Sequence, residues 1–350
     1  MARPVRIADV ARLAGVSTAT VSNAVNRPRV LAPDTLARVQ AAIEQLGYVP
    51  HGTARQLRTG RSGLVGVVVP DLDNGFWCSA VTGVETWLAA RGVGAVVATS
   101  RYDWDRERDA IAQLLDLGVD GLVLGTLAPD RHAADYATLP VPTVTIARQG
   151  RRAGLASVSL DEAAAMALAL DHLVELGHRR MVFARSGGDQ SWTAERRRGL
   201  AAAVRLCHRR GIELDIVDVV VPMAVPEHGA DVVDEVLAMQ PRPTAVLCAN
   251  DFLAIGVLGA LAVRRVRVPA EMSVVGVDDL DLASLMSPPL TTVRQDTGSM
   301  GAVAAAWVHD GMSELRNVLL APSLVERATT APPGLRPTRP APRGRVASGI

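Results

Sequence analysis

The sequence predicts an all-α N-terminal head joined to a two-lobed α/β body of doubly wound parallel sheets. Three observations carry that prediction. Two short helical patterns meet at Gly15 in the first part of the chain. From residue 62 onward, near-continuous apolar runs alternate with helix-period segments, the pattern of parallel strands joined by crossover helices. The alternation occurs twice, over about 62–160 and about 161–288, so two sheets with a cleft between them are expected.

In the head, Val10 and Ala14 stand four residues apart, as do Val21 and Val25, so each helix is expected to have one small apolar face. Gly15 accepts the left-handed backbone of a tight turn between helices at no Cβ cost. Ser17 offers its hydroxyl to the free N–H groups of a second helix, expected over 17–26. The opposite face of that helix shows Thr18, Ala19, Ser22, Asn23 and Asn26, short neutral side chains that approach a base edge or a phosphate closely. This is the pattern of a helix-turn-helix whose second helix enters the major groove. Pro33 suits the first position of a third helix, in which Leu36, Val39, Ile43 and Leu46 recur at helical spacing until Gly47. Residues 51–61 are basic, lie between Pro50 and Gly60, and read as a linker with room for one or two helical turns.

The body reads as strands at 64–69, 95–98, 121–124, 144–146, 181–183, 217–221, 245–248 and 273–277. Helices are expected at 81–91, 105–117, 161–176, 194–211, 229–239 and 252–263. In such sheets, ligand sites gather at the carboxyl ends of the strands. The Pro- and Arg-rich residues 331–350 read as a disordered tail.

The net charge of +1 hides an asymmetry. Residues 1–61 carry +6, residues 331–350 carry +4, and the body between them carries −9. A basic head on an acidic body points to a polyanion as partner of the head alone. Cys78, Cys207 and Cys248 are isolated, which fits a reducing compartment rather than a disulfide framework. No secretory h-region and no uninterrupted apolar run of about 18 residues is seen, so a cytoplasmic protein without a membrane partner is expected. The histidines lack metal spacing, and neither GxSxG nor a Walker A pattern occurs. The reading is therefore a non-enzyme with no metal and no cofactor.

Several motifs carry a resemblance over about 6–330. They are Ile7-Ala8-Asp9-Val10-Ala11, Ala14-Gly15-Val16-Ser17, Thr20-Val21-Ser22, Leu46-Gly47-Tyr48-Val49-Pro50, Ala54-Arg55-Gln56-Leu57, Ala249-Asn250-Asp251, Val275-Gly276-Val277-Asp278-Asp279 and Pro289-Leu290-Thr291-Thr292-Val293-Arg294-Gln295. These stretches resemble the LacI/GalR family of bacterial transcription regulators. The resemblance implies a periplasmic-binding-protein-like body and a homodimer on a palindromic double-stranded operator. It implies that Thr18, Ala19 and Asn23 read bases, and that Ser17, Thr20, Ser22, Asn26 and Tyr48 touch phosphates. The hinge, with Ala54 and Leu57, would pair at the operator centre, Leu57 acting as a wedge in the minor groove. Asn23 stands where many members carry Arg, and Asn pairs best with adenine, so an adenine is the expected base. Ala32 and Leu36 replace a common Ser cap and a frequent Arg, and Gly52 lowers hinge helicity by roughly 1 kcal/mol relative to Ala.

The expected domains are a helix-turn-helix domain at 1–50, a hinge at 51–61 and an effector and dimerisation body at 62–330. Lobe one would comprise about 62–160 plus 290–320, and lobe two about 161–288 plus 321–330. A sugar-sized effector needs planar donors, carboxylates and a stacking face. Phe76, Trp77, Gln190, Trp192, Arg196, Asn250, Asp251, Asp278 and Gln295 supply these, with Arg196 and Asp251 the foremost pair. For Phe76, Trp77 and Trp192 plain core packing is the competing reading, and for Asp251 a helix cap. The expected function is a repressor controlled by a small-molecule effector, read as a carbohydrate. The alternatives are a solute-binding protein of the same two-lobed build and a regulator acting as an activator.

Overall fold

A computed structural model describes residues 5–48, 60–126, 132–147, 155–187, 191–311 and 317–334, with the backbone alone at 26, 133, 191 and 192. The chain divides into two compact units, Met1–Ser62 and Gly63–Ile350. The expected hinge residues Ala54 and Leu57, the site residue Gln190 and the tail from 335 lie outside the described residues.

In the first unit, α1 spans Ile7–Ala14, α2 Thr18–Asn26 and α3 Pro33–Leu46. Arg6 and Asp9 cap the start of α1, the Asp9 carboxylate accepting the Arg6 N–H at 3.0 Å. Gly15 ends the helix with φ +64°. Ser17 caps α2, its Oγ accepting the Thr20 N–H at 3.1 Å. Val10, Ala11, Ala14, Val21, Ala24, Val39, Ala42 and Tyr48 form the shared core. Val25 does not join Val21 there: it is 38% exposed, because Ala24 takes the inward position and turns Val25 outward.

The second unit opens with β1 Leu64–Val69, α4 Gly75–Ala89, β2 Gly94–Thr99, α5 Trp104–Asp116, β3 Leu122–Leu124, α6 Ala133–Ala137, β4 Thr143–Ile146 and β5 Ala156–Leu160. It continues with α7 Glu162–Glu175, β6 Arg180–Ser186, α8 Ser191–Arg209, β7 Asp215–Val221, α9 Gly229–Ala238, β8 Ala245–Cys248 and α10 Asp251–Val263. Then come β9 Ser273–Asp278, α11 Asp281–Leu285, β10 Thr291–Arg294, α12 Thr297–Asp310, β11 Asn317–Leu320 and β12 Ser323–Val325. Among the described residues the strands form two six-stranded sheets, ordered β11-β5-β4-β3-β1-β2 and β12-β10-β9-β8-β6-β7. All pairs are parallel except the antiparallel β10 and β12. Parallel strands covered on both faces explain the Val-rich, nearly continuous apolar runs of β1 and β9.

The chain crosses between the lobes three times: from β5 to α7, from β10 to α12 and from β11 to β12. This corrects the expected lobe boundaries. Residues 291–294 pair with β9 in the second sheet, and only α12 and β11 of the stretch 290–320 return to the first. Strand β5 escaped prediction because Ser157 and Ser159 interrupt its apolar pattern, yet both are buried, Ser157 donating to Asn317 Oδ1 at 2.6 Å. Helix α4 starts six residues before its expected beginning, where Asn74 Oδ1 accepts the Phe76 N–H at 3.0 Å. It meets α12 with almost no side chain between them. A Cβ on Gly83 would fall 2.0 Å from the Gly298 carbonyl oxygen, and one on Gly301 2.0 Å from that of Ala80.

Candidate nucleic-acid interface and effector cleft

The residues of α2 named as base and phosphate contacts differ in exposure. Thr18 and Ala19 are exposed, and Ser22 and Asn23 are half-buried. Ser17 and Thr20 put their hydroxyls 2.9 Å apart, one polar step at the helix start. Tyr48, an expected phosphate contact, packs into the head core at 9% exposure. Arg6, Arg12, Arg27, Arg29 and Arg38 are exposed on the same unit, against Asp9, Asp34 and Glu44. That surplus of guanidinium groups suits a phosphate backbone. The side chain of Asn26 is outside the described residues, as are Ala54 and Leu57.

In the second unit a cavity of about 440 Å³ opens between the carboxyl ends of the two sheets. The first lobe contributes Asp71, Asp73, Asn74, Phe76, Trp77, Arg101, Tyr102 and Ala147. The second contributes Glu162, Arg196, Met223, Ala224, Val225, Glu227, Asn250, Phe252 and Asp278. Phe76 and Trp77 meet edge to face, with centroids 5.0 Å apart. Trp77 lies against Gly125, where any Cβ would fall 2.6 Å from its ring, so the bare end of β3 is what admits the indole. Four lining residues, Arg101, Tyr102, Ala147 and Asp278, hold positive φ of 51°, 61°, 64° and 126°. Such backbone costs about 1–3 kcal/mol per non-glycine residue and concentrates at binding sites.

Arg196 is the hub of the second lobe's wall. Its Nε donates to Glu162 Oε2 at 2.6 Å, and its Nη2 reaches Glu162 Oε1 at 3.3 Å, Asp278 Oδ1 at 3.1 Å and Gln295 Oε1 at 3.3 Å. Nη1 donates to the Ala249 carbonyl. Gln295 closes the ring by donating to Glu162 Oε2 at 3.0 Å. Two carboxylates share one guanidinium in a buried site. Burial pushes the Asp278 carboxyl up to about 8, against the pull of Arg196.

The structure brings Phe76, Trp77, Arg196, Asn250 and Asp278 together around one cavity and gives some of them structural work. Asn250 caps α10, its Oδ1 accepting the Leu253 N–H at 2.8 Å while its Nδ2 donates to the Ala224 carbonyl at 3.1 Å. Asp251 does not line the cavity. It is fully buried, accepting from Thr292 Oγ1 at 2.5 Å and from the Leu280 N–H at 2.9 Å. Desolvation raises its carboxyl to about 6. A Cβ on Gly276 would fall 2.0 Å from Asp251 Oδ1, so the strand bends no side chain into its place. Gln295 also stays out of the wall and acts through Arg196 and Glu162. Gln190 and the side chain of Trp192 lie outside the described residues.

Sequence reasoning missed Asp71, Asp73, Arg101, Tyr102, Glu162, Glu227 and Phe252. Arg101 and Tyr102 come three and four residues after the predicted strand 95–98, so the carboxyl-end rule was the available signal. Glu162 gave none: a Glu at a helix start reads as a partner of the helix dipole.

A helix-turn-helix head and a two-lobed body enclosing a polar cleft define a DNA-binding protein governed by a small ligand. Residues 6–51 match the profile of bacterial regulatory proteins of the lacI family, and residues 170–330 match a periplasmic binding protein-like domain. The chain is 31% identical to the HTH-type transcriptional repressor PurR of Vibrio atlanticus (strain LGP32), across 92% of its own length and 98% of that protein. It is 32% identical to the ribose operon repressor of Escherichia coli (strain K12), with the same coverage. The structure of the lac repressor dimer bound to operator and the anti-inducer ONPF superposes with a TM-score of 0.82 at 29% identity, covering 94% of this chain and all of that one. The chain belongs to the lacI family of bacterial regulatory proteins and is a DNA-binding transcriptional regulator.

Proposed function

We propose that the protein is a homodimeric, cytoplasmic repressor that reads a palindromic operator through α2 and is released or retained by a small carbohydrate bound in the cleft. One observation supports this reading above the others: the helix face of Thr18, Ala19 and the half-buried Asn23 lies on the same chain as a ligand-sized cavity. Asn23 in place of an Arg favours adenine in the half-site. Ala54 and Leu57 act at the operator centre, as the family resemblance implies. Relatives described as repressors of the ribose operon and as PurR support a repressor. Among the described residues no helix is long and apolar enough to cross a membrane.

The test is footprinting of the full chain on genomic DNA, followed by binding to the recovered site. Asn23→Ala is expected to weaken the recovered site by about 1–3 kcal/mol and to relax one base position per half-site. A chain lacking residues 1–61 should lose DNA binding and keep effector binding. Activation of the adjoining promoter would replace the repressor reading. Loss of both activities on truncation would count against the modular reading.

A further inference from the structure

We propose that the effector carries a positive charge: a small polyhydroxylated amine of the amino-sugar class, its ammonium held between Asp71 and Asp278. The inference rests on the reading of the cleft as the effector site and narrows the ligand that site takes.

The first observation is the count of charges. Asp71, Asp73, Glu162, Glu227 and Asp278 line the cavity against Arg101 and Arg196. Both guanidinium groups are already engaged. Arg101 Nη1 is 2.9 Å from Asp73 Oδ2, and Arg196 is forked onto Glu162 with Asp278 and Gln295 beside it. Among the described residues, the arginines of the wall are therefore already paired with carboxylates of the same wall.

The second observation is that two buried carboxylates, one from each lobe, have an oxygen to spare. Asp71 is 7% exposed; its Oδ1 accepts the N–H groups of Asp73 and Asn74 at 3.0 and 2.9 Å, and Oδ2 meets no donor among the described residues. Asp278 is 6% exposed; its Oδ1 takes Arg196, and Oδ2 likewise meets no donor among the described residues. Both residues line the cavity. Taking carboxylates out of water is costly unless a cation or donors replace it. A hydroxyl offers each oxygen one neutral hydrogen bond, whereas an ammonium offers three charge-assisted ones and cancels the excess charge.

The third is the wall around them. Phe76, Trp77, Tyr102 and Phe252 line the same cavity in a chain holding only three Phe, five Trp and three Tyr. Aromatic faces attract cations. The negative field also reaches Cys78 on α4, whose thiol is pushed up by burial and then by Asp71 and Asp73.

The experiment is calorimetric titration and thermal shift of the full chain at about pH 6.5, where sugar amines are protonated and a bound ammonium draws off the proton that burial keeps on Asp278 in the empty cleft. The probes are matched sets: glucose, galactose and mannose, their 2-amino-2-deoxy forms and their 6-phosphates, with adenine and guanine as further arms. At least one amino sugar is expected to bind about ten-fold tighter than its neutral parent, the gain of a charge-assisted over a neutral hydrogen bond. None of the phosphates is expected to bind. Asp278→Asn should abolish the preference. Glu227→Gln, on an exposed residue whose replacement leaves folding intact, should narrow it. A neutral sugar binding as tightly as its amine would overturn the charge inference and leave the carbohydrate reading standing. A phosphate binding best, or no amino sugar binding at millimolar concentration, would overturn it too. Binding by a nucleobase alone would overturn both.

Discussion

Arg196 grips Glu162 through two donors, Nε 2.6 Å from Oε2 and Nη2 3.3 Å from Oε1, one residue after the chain leaves β5 for the second lobe. Both side chains are 4% exposed. Removing the guanidinium leaves Glu162 and Asp278 buried with no cation. Arg196→Ala is expected to cost about 3–5 kcal/mol in denaturant unfolding, the usual penalty for breaking a buried pair from one side. Arg196→Lys keeps the charge but not the planar fork, so it should recover only part of that loss. Equal stability of the Ala variant and the natural chain would show that the ring of contacts holds nothing.

The acid pair also sets a pH dependence. The Asp278 carboxyl titrates near 8 in the folded chain, raised by burial, and an unfolded Asp titrates at about 3.9. Between those values the folded chain holds a proton that the unfolded chain has released, so this group lowers stability as pH rises through the window. Asp278→Asn removes the titration. The melting temperature of the natural chain should therefore fall more steeply between about pH 5 and about pH 8 than that of the variant. Parallel curves for the two proteins would contradict the assignment.

Packing of α4 on α12 depends on backbone touching backbone. A methyl at Gly301 would meet the Ala80 carbonyl at 2.0 Å, and no flexible side chain is there to yield. Gly301→Ala is expected to cost about 1–3 kcal/mol or more by forcing the helices apart. Gly259→Ala is the control: its Cβ meets nothing within 4 Å, and calorimetry should show it unchanged or slightly stabilised.

In the head, Gly15 holds φ +64° with open space around its missing Cβ, so its cost on substitution is conformational alone. Gly15→Ala should destabilise the head by about 1–2 kcal/mol. Ser17→Ala, which removes the cap on Thr20, should cost about 1 kcal/mol. Hydrogen exchange of the α1 and α2 amides reports both, with faster exchange expected in each variant and none in the body.

Most of the architecture was readable because its strands are runs such as Leu64–Val69, apolar on both faces, and its turns carry glycine or a capping hydroxyl. Legibility failed where burial is polar or where contacts join distant segments. Ser157 and Ser159 hide a core strand behind hydroxyls. Asp251 bears the residue type of a ligand contact, and only the approach of Thr292 and Leu280 shows that it braces the protein instead. Glu162 became visible as a site residue only once Arg196, 34 positions later, was seen to hold it.

The three crossings between the lobes are short: one residue separates β5 from α7, and two separate β10 from α12 and β11 from β12. At 3.8 Å between successive Cα atoms, these links leave the lobes no room to part or slide along that edge. Glu162 begins the far side of one crossing and Gln295 lies within another, and both are fastened to the same guanidinium. Arg196 therefore ties two of the three crossings to a single side chain.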